Sequence, residues 1–192
     1  ELGLTIPLLQ PEKLPAVYDE LRALDADCFV VASYGKILRQ ELLDIPHRGV
    51  IGVHPSLLPL YRGPSPIQQV LLDGEGVTGM SLFRVDAEVD HGRVIAQEQL
   101  EVAPDDTYLP LEAKLAAVGA SLLEKHLEAW IDGDIDAKEQ DHFKATFTHK
   151  FTTDDGFVAW DDVGRALGGD AVLGARIAHM IAALHPEPGA WT

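Results

Sequence analysis

The alternation of apolar and polar positions divides most of the chain into short strands and helices. Leu4 to Leu9 is a brief apolar run ended by Gln10-Pro11. Pro15 then opens a helix in which Val17, Leu21 and Leu24 recur at i, i+4 and i+7, one buried stripe. Cys28 to Ala32 is continuously apolar, as a strand covered on both faces should be. A short helix is predicted around Arg39 to Leu43, a strand over Val50 to Val53, and a helix from Pro66 to Leu72 carrying Ile67, Val70 and Leu71. Val77 to Val85 and Arg93 to Val102 read as two more strands, joined by an acidic turn that ends at Gly92. Asp105 to Trp130 is a long helix with Leu115, Val118, Leu122 and Leu123 on its apolar face.

Strands alternating with helices predict an α/β fold with a mostly parallel sheet and right-handed crossovers. The last two strands, separated only by a turn, predict an antiparallel portion. Gly133 to Gln140 is a polar exit, and Asp141 to Gly156 mixes His, Lys, Thr and Asp with little apolar content. Further on, Asp170 caps a helix running to Ala183, with Leu173, Ile177, Met180, Ile181 and Leu184 on one face. A lone helix is too little for an independent domain. The expected organisation is therefore a first domain over residues 1–140, a linker over 141–156, and the truncated start of a second domain over 157–192.

The 192 residues set a prior of one or two domains. Charge changes the picture more. With 31 acidic against 15 basic residues the formal net charge is −16, which repels phosphate backbones. A nucleic-acid partner would have to be held by a local patch or by chain outside this stretch. Cys28 is the only cysteine, which excludes an intramolecular disulfide and a multi-cysteine zinc site. No apolar run approaches the ~20 residues of a membrane helix, so a cytoplasmic protein is the expectation. The chain begins at Glu1 and its methionines are Met80 and Met180, which suggests a piece of a longer or processed product.

The densest chemical signal runs from Gly52 to Gly63, Gly-Val-His-Pro-Ser-Leu-Leu-Pro-Leu-Tyr-Arg-Gly. Pro55 holds His54 in extended backbone, placing an imidazole at the outgoing end of a strand, where open α/β sheets bind ligands. A histidine that merely tips a strand is the plainer alternative. The second signal is Asp86-Ala87-Glu88-Val89-Asp90-His91-Gly92. Three carboxylates in five residues usually face water, but one brought beside His54 would raise its basicity and fix its tautomer. Asp90 is the best placed, provided that Gly92 permits a tight turn. The remaining histidines are scattered without ligand spacing, so no metal is expected. Tyr34-Gly35-Lys36-Ile37-Leu38 follows a strand and lines either a flat ligand pocket or ordinary packing. No Gly-rich phosphate fingerprint is present.

Together these segments resemble the folate-dependent formyltransferases, and within them the tRNA-directed branch. The likeness rests on Tyr34 to Leu38, His54 to Pro59 with Tyr61-Arg62-Gly63, and Pro66-Ile67-Gln68. It continues through Thr78-Gly79, Asp86 to Gly92, Lys150-Phe151, Asp155-Gly156, Trp160 and Pro188 to Thr192. The resemblance implies a Rossmann-like formyltransferase domain followed by the start of a barrel-type domain. It implies formyl transfer from 10-formyltetrahydrofolate to an amine, here the α-amino group of methionine on initiator tRNA, without metal. By resemblance, His54 stabilises the oxyanion and shuttles protons while Asp90 orients it. Ser56, Leu57, Leu58 and Pro59 form a folate-binding segment, with Tyr34, Ile37, Leu38 and Asp86 around the pterin. A monomer is expected. A sugar-nucleotide amine is the alternative acceptor, and a silent folate-binding homologue the alternative class.

One departure stands out. The family carries asparagine two residues before the histidine, where this chain has Gly52. Losing one oxyanion donor typically costs about 3–4 kcal/mol of transition-state stabilisation; the alternatives are compensation by a water or a neighbour such as Gln68, or impaired catalysis, and partial compensation is the expectation. Lys144 and Lys150 are candidate phosphate contacts in the linker, although a solvated linker explains two lysines better.

Overall fold

The computed structural model describes residues 8–192. Leu4 to Pro7, most of the first apolar run, lie outside the described residues. Leu8 and Leu9 are exposed and belong to no strand. The elements then follow the predicted order, beginning with a 3-10 turn over Leu14–Val17 that runs into α1 (Tyr18–Ala23). After these come β1 (Phe29–Ala32), α2 (Gln40–Leu43), β2 (Val50–His54), α3 (Pro66–Asp73), β3 (Val77–Arg84) and β4 (Val94–Glu101). The chain closes with α4 (Tyr108–Asp132), α5 (Trp160–Leu167) and α6 (Ala171–Leu184).

The four strands form one sheet in the order β1-β2-β3-β4. β1 and β2 are parallel, while β2–β3 and β3–β4 are antiparallel. The α/β class holds, but among the described strands parallel pairing is confined to β1–β2. The reason lies in the connections: β3 and β4 are joined by a turn. α3 has only eight residues, about 12 Å, and follows the long 55–65 loop, so the chain enters β3 from the end at which it left β2.

Apolar side chains explain where the layers meet. Ile51, Met80 and Leu82 from the sheet join Ile67 and Leu71 of α3 and Leu111, Leu115 and Leu122 of α4 in one buried cluster. Two local expectations differ. In the first helix Tyr18 is the buried residue, and Leu24 is exposed, because only one turn follows the 3-10 segment. Among the described residues β1 is at the sheet edge, its residues are half-buried or exposed, and Val30 is 41% exposed.

The C-terminal third holds the larger surprise. Asp170 caps α6 as predicted, its carboxylate accepting from the Leu173 N–H. Yet Ala183 and Leu184 are fully buried in the same cluster as Ile67 and Leu111. In the described chain, α6 completes the first core. The polar segment 138–148 is likewise integrated. Lys138 exchanges two backbone hydrogen bonds with Val94, and Thr146 and Thr148 pair with the 59–65 loop. No helix among the described residues is long and apolar enough to cross a membrane.

Candidate active site

His54 is the last residue of β2 and only 6% exposed. Its imidazole lies edge-on to the Phe83 ring, with centroids 6.4 Å apart. Nε2 donates to the Tyr61 carbonyl at 2.9 Å, which assigns the proton of the neutral ring to Nε2. Nδ1 therefore presents its lone pair toward Asp90 Oδ2, 3.6 Å away. Burial pushes the His54 pKa below its ordinary value, while the Asp90 charge and the Tyr61 carbonyl pull it partly back. The result is a neutral imidazole with a free nitrogen facing an anion. Such a group accepts a proton and holds the imidazolium against a carboxylate.

Asp90 is brought there by backbone in the left-handed region, φ +48°, rare for a residue with a side chain. Its Oδ2 accepts from the Gly63 N–H at 2.7 Å. Gly92 was expected to allow a tight turn. The structure gives it a different reason: a Cβ there would collide with the Arg84 carbonyl, so glycine permits the close approach of the returning chain. The three carboxylates of this loop do not simply repel. Asp86 accepts from the Glu88 N–H and pairs with His91 Nδ1 at 2.8 Å, Glu88 is largely exposed, and Asp90 turns inward.

The other predicted site residues divide. Ser56 is fully buried, and its hydroxyl donates to the Leu60 carbonyl while its own carbonyl accepts from Ser81 Oγ. Leu58 is buried too, its N–H bound to Ser81 Oγ and its carbonyl accepting from Gln97. These two residues brace the loop through these bonds. Leu57 and Pro59 are half-buried. Tyr34 and Ile37 are exposed and Leu38 half-buried on the open loop between β1 and α2, so they form no closed wall in the described chain. Asp86 lines a cleft of about 260 Å³ with Gln40, Leu43 and Arg84.

Gly52 faces Phe83 across the sheet. A Cβ at position 52 would meet Phe83 Cε1 and lie 2.5 Å from Cζ. The aromatic ring fills the space into which a residue-52 side chain would grow. The Gln68 side chain makes no hydrogen bond among the described residues.

Sequence reasoning missed Arg62 and Gln140, both almost fully buried beside this pair. Gln140 donates to the carbonyls of Asp90 and Gly92 and accepts from the Arg62 guanidinium. Arg62 stood inside the densest motif, and that place was the available signal. Gln140 gave none.

The formyl transferase profile matches residues 9–127, well over half of the chain. The chain belongs to the formyl transferase family. Among relatives in this family, the methionyl-tRNA formyltransferase of Roseiflexus sp. (strain RS-1) is 42% identical over all of this chain and 56% of its own length. That of Chlamydia caviae is 38% identical over all of this chain and 57% of its own length. The chain thus spans a little over half the length of these relatives. A 4-N formyltransferase from Francisella tularensis superposes with a TM-score of 0.73 at 18% identity, covering 92% of this chain and 69% of that one. HypX from Aquifex aeolicus, solved with tetrahydrofolic acid, gives 0.76 at 18% identity over 93% of this chain and 29% of its own. At such identities these two structures establish the Rossmann-like formyltransferase fold alone.

Proposed function

We propose that the protein containing this chain transfers the formyl group of 10-formyltetrahydrofolate to the α-amino group of methionyl-tRNA, with His54 and Asp90 at the reacting centre. The observation that carries the reading is the buried His54–Asp90 pair in a chain about 40% identical to methionyl-tRNA formyltransferases.

The amine nitrogen attacks the formyl carbon, and the carbonyl oxygen becomes an oxyanion. The C–N bond to the folate then breaks. One proton leaves the attacking nitrogen and one reaches the departing folate nitrogen. His54 Nδ1 suits the transfer, because its lone pair is free and Asp90 stabilises the cation formed. Leu57, Pro59 and the Asp86–Gly92 loop are the proposed borders of the folate site, with Tyr34, Ile37 and Leu38 contributing from the open loop. The acceptor's phosphates meet a chain of charge −16, so their contacts are assigned mainly to parts of the protein outside it. The protein works as a cytoplasmic monomer, and residues 157–192 lead toward its second domain.

The test is a formylation assay on the full-length protein with charged initiator tRNA, an aminosugar nucleotide, and no acceptor. Transfer to methionyl-tRNA, abolished by His54→Ala and Asp90→Ala, is the expected result. Preferential transfer to the sugar amine, or folate binding without transfer to either, overturns the reading.

A further inference from the structure

The 3.6 Å approach of His54 and Asp90 joins the end of β2 to the loop between β3 and β4, which have no covalent reason to stay together. The Asp90 loop carries the cost of a left-handed residue, and something must offset it. The donor set around Gln140 does so. Its Nε2 donates to the Asp90 carbonyl at 2.9 Å and the Gly92 carbonyl at 2.6 Å, clasping the loop on both sides of His91. Its Oε1 accepts twice from Arg62, from Nη2 at 2.7 Å and Nε at 3.2 Å. An amide offers two donors and two acceptor sites, and here all four are used.

Arg62 belongs to the other half of the site. The preceding residue, Tyr61, supplies the carbonyl that receives the His54 proton, and the following one, Gly63, donates to the Asp90 carboxylate. Thr146 and Thr148 fix the Arg62 backbone on both sides, and His142 Nδ1 takes another guanidinium hydrogen at 2.9 Å. Arg62 is 3% exposed and has no carboxylate within salt-bridge reach among the described residues. A buried guanidinium held by an amide and an imidazole is a poor source of stability, and its bonds here go to the residues that hold the Asp90 loop.

We propose that Gln140, gripped by Arg62, is the positioning residue that holds the Asp90 carboxylate against His54. This rests on the reading that His54 and Asp90 perform the transfer, and it adds a role for a segment read from sequence as a linker. Gln140 touches neither reacting group through its side chain. It acts by fixing the backbone that carries one of them.

Gln140→Glu in the full-length protein is the deciding variant. Glutamate keeps the length and still pairs with Arg62, but it turns acceptor oxygens toward the two loop carbonyls. A shift of about 1 Å in Asp90 lowers kcat roughly a hundredfold, with KM for the formyl donor nearly unchanged. In an Asp90→Asn background the same substitution changes kcat by less than about twofold, since its route of action is already gone. Separately, NMR titration of His54 moves to lower pH in Arg62→Lys, which loosens the grip without changing the net charge, because the counter-charge has withdrawn. Full activity with an unmoved titration, or a rate loss that adds to that of Asp90→Asn, overturns the proposal. If Gln140→Glu does not fold, Arg62→Lys loosens the same grip and is read the same way. The His54 titration needs no turnover, so it decides the positioning role even if formyl transfer is not the reaction.

Discussion

Replacing Gly52 sets two effects of opposite sign against each other. In an open strand, alanine is worth about 0.5–1 kcal/mol more than glycine, because glycine loses more backbone entropy on folding. At position 52 the new Cβ lies 2.5 Å from Phe83 Cζ and nearer still to Cε1. Carbon atoms rest at about 3.5–4.0 Å, so the ring must retreat by roughly 1 Å. Phe83 is 4% exposed and stands edge-on to His54, which leaves it little room. Overpacking of this kind costs about 1–3 kcal/mol and outweighs the entropic gain. For a chain of this size that is about 2–12 °C in Tm. Gly52→Ala and Gly52→Asn are therefore expected to unfold earlier in urea and on heating, and Phe83→Leu in the same chain should recover part of the loss, a coupling of about 0.5–3 kcal/mol. The rate follows the same geometry. Asparagine alone leaves formylation little changed, because the ring occupies the donor's place, and a gain is expected only in the Gly52→Asn/Phe83→Leu pair. Stabilisation by Gly52→Ala, or a hundredfold rate gain from Gly52→Asn alone, refutes the reasoning.

Burial holds the native His54 pKa below its ordinary 6.5 despite Asp90 and the Tyr61 carbonyl. The unfolded chain then binds the proton first, so this contribution to stability is whole above that value and is lost as pH falls toward the native pKa. Urea midpoints at about pH 7.5 and about pH 5 should differ less in His54→Gln than in the parent, and an equal difference refutes the assignment. Leu184→Ala should cost about 2–5 kcal/mol in the main unfolding transition, because the side chain is fully buried in the first core. A separate unit would leave that transition unmoved. Asp106 is buried, which raises its pKa, yet the hydrogen bonds of Lys114 and the Ala103 N–H hold it below the ordinary carboxylate value. Its stabilisation is present above about pH 3.8 and lost as pH falls through the native pKa; Asp106→Ala should cost about 1–3 kcal/mol at neutral pH by thermal melting.

The strands and the long helices were legible in the sequence because each has a strong apolar period. The Leu115–Leu122 stripe of α4 and the continuous run of β2 lie where the pattern placed them. His54 was legible because Pro55 dictates extended backbone at a strand end, and Asp90 because a carboxylate was needed to serve it. At Ser56 and Leu58 the sequence did not reveal the bracing role: a hydroxyl or amide in a loop can bind the loop itself, and here Ser81 and Leu60 are its partners. β1 misled because continuous apolar character reports that a strand is suited to burial, whereas Val30 stands at the edge of the described sheet.

The 138–148 segment shows where composition fails as a guide. Its residues are polar, and polar chain between two apolar periods reads as solvated linker. Yet every backbone group in a buried loop needs a partner, and a loop that crosses the top of a sheet cannot find one in the ladder. The 59–65 and 86–92 loops are such segments, and polar side chains are what they require: Thr146 for the Tyr61 N–H, Thr148 for the Ser65 N–H, Gln140 for the Asp90 and Gly92 carbonyls. At Gln140, Thr146 and Thr148, polarity is therefore complementary to loop backbone, while Asp141, Phe143 and Lys144 face water. A strand end and a loop meet at this site, and a third segment bonds to the chain around both through residues that composition assigns to the surface.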